Sequence, residues 1–209
     1  MKKLIIIGAG GFGREVLAWA KQSHEHGREW TIKGFLDDNP DAVAGKNVTA
    51  PVLGKPSEYQ PTPEDVFVCA IGTPAAKQAV QESLAAKGGV FINIVHPTAV
   101  LGENVQLGAG VILCPQVVVT VNAVIGDGVA LNLQTIVGHD AVIGKWCQIS
   151  PHCDILGYAQ LGDGVFMGSH AVVLPSVKIG ANAILGAGAI ASRDIPTGST
   201  AVGIPAKPR

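Results

Sequence analysis

Charge of either sign is not in excess in this sequence, where 15 Lys and Arg stand against 16 Asp and Glu among 209 residues. That balance leaves no basic surplus for a nucleic acid or an anionic membrane surface. Aromatic residues make up only 5% of the chain, while 27 glycines suit a fold made of many short turns. The four cysteines, Cys69, Cys114, Cys147 and Cys153, include no CxxC pair, so neither a zinc ribbon nor a disulfide framework is indicated. No apolar run approaches the roughly 20 residues of a membrane-spanning helix. Residues 4–7, after Met1-Lys2-Lys3, begin like a secretory leader, but the run stops at Gly8, short of the about 7–15 apolar residues that a leader needs. The expectation is a cytoplasmic protein with no nucleic-acid or membrane partner and no metal.

What is present is a period of six. Stepping by six from Leu101 reaches Leu107, Leu113, Val119, Ile125, Leu131 and so on to Leu185, and all 15 positions are aliphatic or Met. The following position holds Gly nine times, and the residue two before each aliphatic is only Val, Ala, Thr or Cys. Six is not a helical period. It fits short strands that each turn one large and one small residue inward, with Gly permitting the bend between them. Hexads of this kind mark a parallel β-helix in which every coil buries its aliphatic against the coils above and below. Cys147 and Cys153 fall on the small inward position and are expected to stack there as core residues.

Ahead of the hexads the chain has a different rhythm. Residues 3–7 read as a buried strand running into Gly8-Ala9-Gly10-Gly11-Phe12-Gly13 and then the helical pattern 14–20. A G-x-G-x-x-G between strand and helix makes a tight turn whose backbone approaches a phosphate at the helix N-terminus. A second strand, 31–36, ends in Asp37-Asp38, carboxylates placed to accept hydrogen bonds from ribose hydroxyls or a base edge. A third strand, 66–71, leads to Gly72-Thr73-Pro74, with Thr73 expected to cap a helix that ends at Gly88-Gly89. Residues 90–95 form a last strand into the hexads. The fold expected is α/β plus all-β, with a small Rossmann-like parallel domain over residues 1–94 and a β-helix with a C-terminal tail over residues 95–209. The fingerprint alone is compatible with a dehydrogenase, a nucleotide-sugar binder or a purely structural turn. Only one mononucleotide-binding half is present, which weighs against a full dinucleotide site.

Inward positions of a solenoid are consumed by packing, so chemistry must come from its corners. His24 and His26 lie in a loop near Gly27, and His96 precedes Pro97 at the domain junction, where a structural role is the expectation. His152 and His170, 18 residues apart, should stand one above the other on neighbouring coils. His139 differs in following a hexad glycine and having Asp140 as its neighbour. A His oriented by a carboxylate can stay neutral, accept a proton and be steadied as imidazolium.

The order of an α/β half and a hexapeptide prism, with GAGGFG at one end, VGHDAVIG in the middle and Val202-Gly203-Ile204-Pro205-Ala206-Lys207 at the tail, resembles the bacterial sugar acyltransferases. These are typified by nucleotide-sugar 4-amino N-acetyltransferases and sialic acid O-acetyltransferases. The resemblance implies a left-handed β-helix, a homotrimer with active sites between subunits, acetyl-CoA as co-substrate and a nucleotide-sugar acceptor used in surface polysaccharide synthesis. By the same resemblance His139 is the general base, Asp140 raises its basicity, and Asn132 lies near the acceptor sugar. Gly10, Gly11, Phe12, Gly13, Asp37, Asp38, Gly72 and Thr73 match the nucleotide-sugar pocket. Ser169 and Ala187 match backbone contacts to acetyl-CoA, and Gln148 stands where some members have a His that contacts it. Phe12 also replaces a His of some members. The alternatives are O-acetylation of a sugar or sialic acid hydroxyl and, from another class, a non-catalytic nucleotide-sugar-binding scaffold.

Overall fold

A computed structural model describes residues 1–209. The chain opens with strand β1 (Lys2–Ile7), helix α1 (Gly11–Ala20) and strand β2 (Trp30–Leu36). Strand β3 (Asp65–Cys69), helix α2 (Pro74–Ala86) and strand β4 (Val90–Phe91) follow. The four strands form one parallel sheet in the order β2-β1-β3-β4. Both central strands are apolar because helices cover the sheet, and Leu4 through Ile7 and Val66 through Cys69 are buried.

The register between β1 and β2 slips at Lys33, since Leu4 pairs with Ile32 and Ile5 with Gly34. Lys33 places its ammonium 2.6 Å from Asp65, which also accepts from Tyr59 and from the backbone and hydroxyl of Thr62. Burial alone would raise the Asp65 pKa, but these donors together hold it below its ordinary value.

The last strand expected before the hexads is two strands that belong to different sheets. β4 ends the α/β sheet, Asn93 accepts the backbone N–H of Val111, and β5 (Ile94–Val95) already pairs with Ile112-Leu113 of the prism. From there the chain is a left-handed β-helix whose two-residue strands pair in parallel with partners 18 residues away, as in Ile136 with Asp154 and Val137 with Ile155. Three hexads thus make one coil, and the prism has three faces of 5, 6 and 8 strands. The inward positions from Leu113 to Leu185 are buried throughout, whereas Leu101 remains exposed on the first coil, where nothing stacks beneath it. Because stacking neighbours are 18 apart, Cys147 and Cys153 line different faces and do not stack on each other. Each instead points its thiol at a coil carbonyl, of Gly162 and Gly168.

The eight-stranded face carries Ile112, Ala130, Gln148 and Phe166 outward and receives the α/β unit. The five-stranded face shows Gln106, Val124, Val142, Gln160 and Lys178. The six-stranded face shows Val100, Val118, Ile136, Asp154, Val172 and Ile190, five of them aliphatic.

Candidate active site

β1 sends the chain through α1 to β2 on one side of the sheet, and β3 sends it through α2 to β4 on the other. Their carboxyl ends therefore flank the point where the winding reverses, which is where open parallel sheets bind ligands. The glycine loop lies at that edge. Gly13 cannot carry a side chain because a Cβ there would run into the carbonyl of Gly8, and Gly8 itself has φ +93°. Around Gly10 and Gly11 there is only open space. Helix α1 has no side-chain cap and no acidic residue in its first turn, and its first intrahelical bond comes from Arg14. Its leading N–H groups are thus available to an anion.

Asp37 is partly used by the loop itself, since Oδ2 accepts from Ala9 N at 2.7 Å and Oδ1 from Asn39 N at 2.9 Å. Its carboxylate holds the glycine turn against the end of β2. Asp38 beside it is exposed, and Phe12 packs edge-on against Trp19. Thr73 is the N-cap residue of α2 with Pro74 at the first helical position, but its hydroxyl makes no capping bond, contrary to expectation. Gly72, Thr73, Pro74 and Ala75 form one wall of a cavity of about 420 Å³, and Gly164, Phe166, Asn182 and Ile184 of the prism form the other.

His139 and Asp140 occupy the corner that joins the six-stranded face to the five-stranded face. Asp140 has φ +59°, which turns its side chain back beside the preceding residue. His139 Nδ1 lies 2.8 Å from Asp140 Oδ2, with side-chain exposures of 55% and 32%. Nδ1–H donating to the carboxylate leaves Nε2 as the basic atom. That ring lies over Gly157, where an added Cβ would be 2.6 Å from Nε2, and Tyr158 meets it edge-on at 5.1 Å. The chain thus holds an exposed, oriented imidazole over an open backbone floor.

The other expected ligand contacts lie elsewhere. Asn132 is at the far end of the strand Ile136–Val137, at the corner joining the eight- and six-stranded faces, and its Oδ1 accepts from Leu133 N at 2.7 Å. Ser169 and Ala187 sit higher on that same corner, where the carbonyl of Ser169 receives the N–H of Gly188. His152 and His170 stack there with centroids 4.7 Å apart, and no group of three metal-ligating side chains is present. Gln148 requires a correction. Only 5% of it is exposed, and its Oε1 accepts from Lys77 Nζ at 2.9 Å, so it is engaged between α2 and the prism rather than offered to a ligand.

Lys77 was not expected to matter. It is wholly buried, donates also to the Cys147 carbonyl, and burial pushes its pKa down to about 8. A Lys in the first turn of a helix reads as a solvated face, and only the docking of α2 on the prism encloses it. His96 bridges Thr98 and Gln22 at the domain junction, a structural placement. All four thiols are free and buried, and burial pushes Cys69 up to about 11 and Cys147 up to about 12.

Two family models match separate parts of the chain, "PglD N-terminal domain" over residues 3–84 and "Bacterial transferase hexapeptide (six repeats)" over residues 158–191. Among curated proteins, GDP-perosamine N-acetyltransferase of Escherichia coli O157:H7 is 32% identical over 116 residues, which cover 54% of this chain and 51% of that protein. The match therefore spans about half the length of that relative. The solved acetyltransferase domain of PglB from Neisseria gonorrhoeae FA1090, in complex with acetyl coenzyme A, is 30% identical with a TM-score of 0.87. That match covers 100% of this chain and 99% of the other. PerB from Caulobacter crescentus, in complex with CoA and GDP-perosamine, is 29% identical with a TM-score of 0.89, over 100% of this chain and 98% of the other. Matched along its whole length to such a relative, the chain belongs to the bacterial sugar acyltransferase family that joins a PglD-type N-terminal domain to a hexapeptide β-helix.

Proposed function

We propose that this protein is an acetyl-CoA-dependent N-acetyltransferase acting on the 4-amino group of a nucleotide-linked deoxyamino sugar, in cytoplasmic synthesis of a surface polysaccharide. The observation that carries the reading is the His139–Asp140 pair, with Nδ1 held at 2.8 Å and Nε2 facing outward over Gly157. The division into a nucleotide-sugar unit, residues 1–94, and an acyltransferase unit, residues 95–209, belongs to the same reading. So do the acceptor contacts from Gly10 to Gly13, Asp38, Gly72, Thr73 and Asn132. The relatives solved with CoA and GDP-perosamine support the substrate class.

In this mechanism the amine nitrogen attacks the thioester carbonyl and its proton passes to Nε2 of His139. Asp140 steadies the imidazolium that forms. The tetrahedral adduct collapses as the C–S bond breaks, and the imidazolium returns the proton to the departing CoA thiolate. The new amide and free CoA balance the step. The N–H of Gly157 takes part in no backbone bond of the coil, and the reading assigns it as a donor to the oxyanion. General-base assistance contributes about 10²–10⁴-fold, and joint binding of both substrates supplies much of the remainder.

His139 and the expected acetyl-CoA contacts at Ser169 and Ala187 lie on the two corners that flank the six-stranded face. Within one chain they are separated by that face. Association of copies as a homotrimer, with His139 of one subunit meeting the Ser169 corner of the next, would assemble one site. The test is free-thiol release from acetyl-CoA with UDP-, dTDP- and GDP-linked 4-amino sugars and free sialic acid, wild type beside His139→Ala. Release with an amino sugar, lost by about 10²-fold or more in the variant, is expected. Full turnover by His139→Ala with an unchanged pH profile overturns the mechanism, and release only with a hydroxyl acceptor overturns the N-acetyl assignment.

A further inference from the structure

The corner that carries Asp140 has one left-handed residue on each of five successive coils, and these residues form a column. Asn104 has φ +60°, Asn122 +59°, Asp140 +59°, Tyr158 +59° and Ser176 +64°. Asn and Asp tolerate this conformation better than other side chains, so conformation alone accounts for finding Asn at such positions. It does not account for what the side chains do. Asn104 Nδ2 donates to Asn122 Oδ1 at 3.1 Å, and Asn122 Nδ2 donates to Asp140 Oδ1 at 3.4 Å. Asp140 Oδ2 in turn holds His139 Nδ1. Asn182, also left-handed at φ +56° on another corner, makes no such bond to a carboxylate.

The direction of this chain is dictated by its last member. An ionised carboxylate only accepts, so Asn122 must present its NH₂ to Asp140 and its carbonyl to Asn104, which must then donate. We propose that Asn122, supported by Asn104, is a positioning residue for the base, fixing the Asp140 carboxylate so that Oδ2 faces His139 Nδ1 and the neutral imidazole keeps its lone pair on Nε2. The inference rests on the acetyltransferase reading for its catalytic meaning, but the geometry it describes is independent of substrate.

The separation of 3.4 Å is long for a bond to a carboxylate, and its value is orientation rather than strength. Asp140 is one-third exposed, so without a second partner its carboxylate turns freely in water while still close to His139. Free imidazole favours the proton on Nε2, the atom that must be bare to act as base. Tyr158 makes a T-shaped contact with the ring and brings no carboxylate to it.

The test uses Asn122→Gly, which removes the amide while glycine keeps the positive φ at no steric cost. Asn122→Asp keeps the shape but has no donor. Long-range proton–nitrogen spectra of ¹⁵N-labelled protein, with His139 assigned through its own Asn variant, report the tautomer directly. Wild type should show neutral His139 protonated on Nδ1, and both Asn122 variants should move it toward the Nε2–H form. Asn104→Gly should give a smaller change, and Gln116→Gly, a left-handed position on a different corner, none. Turnover in the Asn122 variants should fall about 2- to 10-fold in kcat, the worth of one hydrogen bond, with both KM values within about twofold. An unchanged His139 tautomer in both Asn122 variants overturns the inference whatever their turnover. If the tautomer moves as described while wild type acetylates no sugar, the positioning role stands and the acetyltransferase reading falls.

Discussion

Gly157 has an ordinary backbone conformation, so alanine there meets no backbone obstacle and only one steric one. The added Cβ would lie 2.6 Å from Nε2 and 2.7 Å from Cε1 of His139. That contact makes the position of the imidazole separable from its chemistry. Gly157→Ala should push the ring off its floor and lower kcat by about 10²-fold, as small displacements of a reacting group do. It should cost less than about 1 kcal/mol of stability, because the obstacle is the end of a half-exposed side chain that can swing aside. In a His139→Ala background the collision partner is gone and the same Gly157→Ala change should be nearly neutral. Thermal melts of the two single variants and the double variant form a mutant cycle that measures this coupling. Additive losses would show that the ring does not rest on Gly157.

Helix α2 ties the two halves together alongside the Gln22–His96 contact after α1, and its fixture is a cation buried without a carboxylate. Lys77 reaches only the Gln148 amide oxygen and the Cys147 carbonyl, with the thiols of Cys69, Cys114 and Cys147 nearby. Its pKa falls from 10.5 to about 8 through burial, so between those values the unfolded chain binds the proton and the folded chain does not. Stability from this group is therefore reduced below pH 8 and recovered as the pH rises toward 10.5. The thiols act in the opposite sense, because burial raises their pKa and the unfolded chain loses their protons first near pH 9. Comparing wild type with Lys77→Met cancels the thiols. From pH 7 to pH 9 the difference in unfolding free energy should move in favour of wild type, by on the order of 1 kcal/mol, read from urea midpoints. A constant difference would mean that Lys77 titrates as it does in water. This device also marks the limit of what the sequence discloses. The hexads from Leu101 to Leu185 declare their coil because each residue repeats the environment of the one 18 before it. His139 was visible beside Asp140 because the two are adjacent in sequence. Gln148 and Lys77, 71 residues apart, acquire their roles only through docking, and neither has a local pattern. The Asn104, Asn122 and Asp140 column was equally hidden, since it depends on the left-handed corners and not on the inward residues that set the period.

At the scale of the whole molecule the three faces of the prism have unequal fates. The eight-stranded face is covered by the α/β unit, and the five-stranded face carries Gln106, Gln160 and Lys178 among its outward residues. The six-stranded face has only Asp154 among aliphatics, with Val100 57% and Ile136 42% exposed. Parallel stacking aligns these side chains into a flat stripe, since each coil repeats the last at one strand spacing. Such a stripe favours association with a like surface. It also lies between the His139 corner and the Asn132, Ser169 and Ala187 corner, so pairing of copies along it brings together groups that one chain keeps apart. Ile136→Glu places a carboxylate in the middle of the stripe, where burial in a contact between copies would leave it unpaired. In the monomer the same side chain remains in water beside Asp154, its partner on the next coil, and the like charges should cost only about 0.2–1 kcal/mol of stability. Sedimentation velocity should therefore show wild type as a trimer and Ile136→Glu as a folded monomer. The monomer should release no thiol from acetyl-CoA yet still bind the nucleotide-sugar, because the glycine loop and the cavity beside Thr73 are complete within one chain. A variant that stays trimeric and active would place the contact between copies on another face, and a wild type active as a monomer would remove the need for a shared site.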